Sequence, residues 1–75
     1  MSLHYYAIRE KATLRYISGT DFSRADGRCH QIFASLSRPP LLLSGAQLQY
    51  ELERRRINLE RFEVVVVEVR KAEPI

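Results

Sequence analysis

The 75-residue chain has a single cysteine, Cys29, so no internal disulfide can close. Chains this short hold a barely sufficient core and commonly need a staple: a disulfide, a metal or a partner subunit. A lone thiol suits a reducing compartment, and a cytoplasmic location is expected. No apolar run approaches the ~20 residues that cross a bilayer, so no membrane association is expected. No charged stretch followed by an apolar one opens the sequence, and no secretory leader is expected. Cys29, His30 and His4 form neither a C-x-x-C nor an H-x-x-x-H pattern, which leaves no zinc-type spacing. Cys29 and His30 are adjacent and point to opposite faces of a strand, so they do not form a nucleophile and its base. No glycine-rich cradle leads into a helix; Ser18-Gly19-Thr20-Asp21 and Ala25-Asp26-Gly27-Arg28 read as turn chemistry. The expectation is a protein without cofactor, metal or catalytic residues, and not an enzyme.

Twelve basic residues against nine acidic ones leave a formal charge of +3. The surplus lies in residues 1–38, where Arg9, Lys11, Arg15, Arg24, Arg28 and Arg38 face only Glu10, Asp21 and Asp26. A surplus this small argues weakly for nucleic acid.

Two strands are read near the start. His4–Arg9 and Thr13–Ser18 are short and rich in aromatic and branched residues. Glu10-Lys11-Ala12 between them has the length of a hairpin connection. Gly19-Thr20-Asp21 is expected to end the second strand, before a polar loop anchored by Phe22. Cys29–Ala34 is short enough to be a third strand or a helical turn, with the strand favoured. Pro39-Pro40 then enforces an extended connector.

The strongest local signal is a helix over about residues 45–57. Ser44 is a good N-cap, Gln47 stands at the capping-box position, and Leu43 with Leu48 matches a hydrophobic staple. Asn58 is a plausible left-handed stop. Leu48, Leu52 and, by projection, Leu59 form the core face. Ala46, Tyr50 and Ile57 lie opposite, as ordinary surface or as part of a partner-binding patch that Arg54 would join. Arg54, Arg55 and Arg56 fan around the helix and cannot form one stripe; they read as a solvated helix end rather than a phosphate-binding hand.

The closing strand, Arg61–Arg70, is apolar on both sides: Phe62, Val64 and Val66 on one, Val65, Val67 and Val69 on the other. Such a strand is normally central or covered twice. One helix covers only one face, and leaving a valine exposed forgoes about 1.5–3 kcal/mol. Either the 20–36 loop or a second copy is expected over the remaining face, which makes Val65 and Val67 candidates for a dimer contact.

The order β-β-(β)-α-β predicts one α+β domain over residues 1–75: a small antiparallel sheet of three or four strands with one helix packed on one face. The segment Tyr6 to Phe22, of the form Y-x-I-+-x-K-x-T-x-+-Y-x-S-G, followed by a helix and a valine-rich last strand, resembles small uncharacterised phage and prophage accessory proteins. No activity or site residue comes with that resemblance; it implies a small accessory protein acting inside a bacterial cell. Two functions stay in view. One is a non-enzymatic interaction protein, dimeric and bound to a host or phage protein. The other is a nucleic-acid-binding module that uses Tyr5, Tyr6 and Tyr16 with Arg9 and Arg15 on the sheet.

Overall fold

The computed structural model describes residues 2–23 and 28–70. The turn expected at Ala25-Asp26-Gly27 lies outside them. The fold is α+β, in the order β1 (Ser2–Glu10), β2 (Ile17–Asp21), β3 (His30–Phe33), α1 (Gly45–Arg54) and β4 (Phe62–Arg70). The Cys29–Ala34 segment, open between a strand and a helical turn, thus supplies a strand.

The strands form two antiparallel pairs rather than one sheet: β1 with β4, and β2 with β3. The β1–β4 ladder runs without interruption from Ser2 opposite Arg70 to Glu10 opposite Phe62. The expected β1–β2 hairpin shrinks to one bridge, Arg9 to Tyr16. Its turn does form, with Glu10 N–H bonded to the Arg15 carbonyl and Leu14 N–H to the Glu10 carbonyl, both at 2.8 Å. Leu14 occupies the left-handed region there, φ 61°. Beyond Tyr16 the chain leaves β1, and Ile17–Asp21 pairs with β3 across an irregularity between Ile17 and Gly19. The residues read as strand ending, Gly19 to Asp21, are therefore inside β2. The physical reason is ladder length. β4 offers β1 nine consecutive partners, four of them successive valines, and β-branched and aromatic cross-strand pairs are what stabilise such a ladder.

The second edge of β1 is also occupied. After the extended Pro39-Pro40 connector, Leu41 N–H donates to the Ile17 carbonyl at 2.9 Å. Tyr6 and Leu43 then exchange two backbone hydrogen bonds of 2.8 Å. β1 is consequently central and the valine-rich β4 is an edge strand, the reverse of what its two apolar faces suggest.

Directly opposite residues share a face. Ile8 and Phe62 stand on the inner face, where they cluster with Ile17 and Leu43; Phe33, Leu41, Leu48, Leu52 and Ile57 pack around them. The helix and the β2–β3 pair cover this side. The N-terminal staple forms as read, with Leu43 and Leu48 both in this cluster. Gln47 Oε1 accepts from the Ser44 N–H at 3.2 Å and from its hydroxyl at 3.1 Å.

The helix ends three residues earlier than expected. Arg56, not Asn58, takes the left-handed conformation, φ 51°. Arg56 N–H bonds to the Glu53 carbonyl at 3.1 Å and Ile57 N–H to the Leu52 carbonyl at 3.0 Å, the two bonds of a Schellman stop. That turn swings Ile57 onto the core beside Leu52. Ile57 therefore does not share a stripe with Tyr50, and Leu59 is not on the core face but 56% exposed.

Candidate interaction surface

The outer face of the β1–β4 ladder carries Leu3, Tyr5, Ala7 and Arg9 opposite Val69, Val67, Val65 and Glu63. The antiparallel bridge from Tyr6 to Leu43 puts Leu42 beside Ala7 on the same face, and the one from Arg9 to Tyr16 adds Tyr16. None of these residues belongs to the core cluster on the inner face. Ala7, small and hemmed in by larger neighbours, is fully buried, but Leu3 is 52%, Leu42 41% and Val69 38% exposed, while Tyr5, Val65 and Val67 are half-buried. The β2–β3 segment that was one candidate cover for this face packs on the opposite side. The face is closed at one end by an ion pair: Arg9 Nε donates to Glu63 Oε2 at 2.7 Å. The neighbouring carboxylate raises the Arg9 pKa further, so the guanidinium stays charged.

The remaining candidates scatter. Tyr50 is 64% exposed on the helix. Arg54 lies 4.9 Å over the Phe22 ring and 3.3 Å from Glu51. Neither meets Val65 or Val67, which stand on the far side of the sheet, and Ile57 is in the core. For the nucleic-acid reading, Tyr5, Tyr16 and Arg9 share the outer face, with Arg9 6.0 Å from the Tyr16 ring. Tyr6 points to the inner face, where its ring lies near Gly45. Arg15 lies 4.4 Å over Phe33, a residue that packs against the inner core. The aromatic-basic platform is thus split between two faces, and the charge that remains on the outer one is neutralised by Glu63.

The arginine triplet was read as solvated, and for Arg55 this is corrected. Its side chain is buried, and it is the one buried charged group among the described residues. Arg55 Nε donates to Glu51 Oε2 at 2.7 Å and Nη1 to Thr20 Oγ1 at 2.9 Å. Thr20 donates onward to Gln31 Oε1 at 2.6 Å, and Gln31 Nε2 returns to the Arg55 carbonyl at 2.8 Å. This ring of hydrogen bonds pins the helix end to both strands of the β2–β3 pair. It also holds the Glu51 carboxyl below its ordinary range, chiefly through Arg55 and then through Arg54.

A cleft of about 290 Å³ is bounded by Cys29, His30, Gln31, Asn58, Arg61 and Phe62, among others. Arg61, a cation that could serve it, is bound to Glu10 at 2.7 Å and stacks 5.2 Å from the Phe62 ring. Among the described residues, no three His, Cys, Asp or Glu side chains are grouped to hold a metal ion, and no helix is long and apolar enough to cross a membrane.

The chain matches no protein-family model, and no curated protein or solved structure matches it.

Proposed function

We propose that this is a non-enzymatic interaction protein, an accessory factor of a mobile element, that docks a protein partner on the outer face of its β1–β4 ladder. The observation that supports this is the apolar surface of Leu3, Tyr5, Leu42, Val65, Val67 and Val69, exposed or half-buried and carrying no packed layer among the described residues. A contiguous apolar area on so small a chain marks an interaction site more often than idle surface. The Arg9–Glu63 pair beside it provides a polar boundary of the kind that rims such interfaces.

Affinity capture from a bacterial lysate tests the reading, with Tyr5→Glu altering the outer face and Tyr50→Ala altering the helix. The expected result is a specific captured protein that Tyr5→Glu loses and Tyr50→Ala retains. Capture that follows Tyr50 instead would move the site to the helix. The runner-up function has Tyr5 and Tyr16 on one face in its favour. It would be supported by a labelled oligonucleotide that binds at low salt and is released steeply as salt rises; a protein complex on an apolar face tolerates salt.

A further inference from the structure

We infer that two copies of the chain pair through the outer edges of β4, antiparallel, about a two-fold axis normal to the sheet, fusing two β1–β4 ladders into one four-stranded sheet. The outer face proposed above as a docking surface would then be doubled. The inference rests on that reading only for the use of the doubled face; the pairing itself follows from the strand.

The first ground is the phase of the ladder. In antiparallel pairs, alternate residues aim both backbone groups at the partner strand and the others aim them away. Lys11 N–H bonds to the Arg61 carbonyl at 2.8 Å, in register with the ladder, so odd-numbered positions of this strand face β1. Tyr6, opposite Val66, gives both its backbone bonds to Leu43. The N–H and C=O groups of Val64 and Val66 therefore point outward. Among the described residues no strand pairs with that edge.

The second ground is that the middle of the edge lacks most of the usual safeguards: charges stand only towards its ends, at Glu63, Glu68 and Arg70. Sheets blunt exposed edges with charged side chains, above all lysine, with proline, with bulges or with very short strands. Phe62–Arg70 has nine residues, no proline, no lysine, no glycine and an unbroken register. Val66, at its centre, is 64% exposed.

The third ground selects a second copy as the occupant. A two-fold normal to the sheet leaves each face on its own side, so like faces like across the junction. Centred on Val66, this operation sets Val66 opposite its own counterpart and Val65 opposite Val67, with no carboxylate opposite another. Both backbone bonds of the central pair are then exchanged. Such a junction is self-complementary, as an isologous contact must be. It joins only two edges and covers less than the roughly 1,200 Å² of a standard stable interface. The dimer is accordingly expected to be concentration-dependent.

Sedimentation across a dilution series tests it, on the wild type, Val66→Pro and Tyr5→Glu. The expected mass of the wild type climbs from 8.8 kDa to twice that as concentration rises. Proline at 66 removes an outward N–H and no bond to β1, a position that edge strands tolerate. Val66→Pro should therefore keep the wild-type circular dichroism spectrum and remain at the monomer mass; Val66→Lys serves in its place if the proline variant unfolds. Tyr5→Glu should dimerise like the wild type even where it loses the captured protein, so failure of the dimer and failure of the docking reading are distinguishable. A mass of 8.8 kDa at every concentration, or a dimer untouched by both substitutions at Val66, would overturn the inference.

Discussion

Arg55 shows how much one side chain can hold in a small fold. It sits where the helix ends and satisfies Glu51 and Thr20 while its carbonyl accepts from Gln31. Removing the guanidinium takes from Glu51 its shorter ion pair and from Thr20 a donor, leaving only Arg54 and Gln31 as their partners among the contacts named above, at a cost of roughly 2–4 kcal/mol. Arg55→Ala is expected to lower the unfolding free energy measured by urea melts by that amount, and Arg54→Ala, at an exposed stacked position, by less than about 1 kcal/mol. The same pair sets an acid limit. The Glu51 carboxyl is held below its ordinary value of 4.5 by Arg55, and Glu10 is held below that value by Thr13 and then Arg61. With folded values depressed, their contribution is complete above about 4.5 and is lost as pH falls through the lower folded values. Urea melts at pH 7, 5, 4 and 3 should show stability flat down to about 5 and falling below 4.5. In Glu51→Gln the fall should be shallower. An arginine run next to glutamates reads as solvated helix end; that the middle one is buried depends on Thr20 and Gln31, which are 35 and 24 positions away and invisible to local pattern.

Among the elements, what the chain writes locally was legible and what it pairs over distance was not. The start of α1 follows from Ser44, Gln47, Leu43 and Leu48, all within six consecutive positions, and the reading matches the structure. Its end does not follow, because Arg56 fills a left-handed position usually given to glycine, and the two closing hydrogen bonds together with the packing of Ile57 on the core offset that conformation. The segment that forms β3 stays open between a strand and a helical turn, with the strand favoured, while the positions of β1 and β4 were legible from composition. Their pairing was not: the short connection after Glu10 favoured a β1–β2 hairpin, and the nine-residue valine ladder some sixty positions later outcompeted it. The two apolar sides of the last strand predict cover beyond one helix; Val65 and Val67 stand half-buried on the outer face, and the strand that bears them is an edge and not a centre. The helix end gives a direct check. Ile57→Ala is expected to cost about 1–3 kcal/mol by chemical denaturation, since its side chain packs on the core. Tyr50→Ala should cost less than about 0.5 kcal/mol, as for other exposed sites. Equal costs would mean that the two residues share one surface after all.

At the scale of the whole molecule, the hydrophobic cluster of the described residues lies on one side of the β1–β4 ladder, leaving an apolar outer face and an unpaired outer edge on the same strand. The two features are linked by β4: its odd-numbered side chains make the face, and its even-numbered backbone groups make the edge. Exchange of backbone amides, followed residue by residue by nuclear magnetic resonance at two protein concentrations, tests this most directly. In dilute solution the amides of Val65 and Val67 should be protected by β1 while those of Val64 and Val66 exchange freely; at high concentration Val66 should become protected too. A Val66 amide already protected at the lowest concentration, or unprotected at the highest, would contradict it.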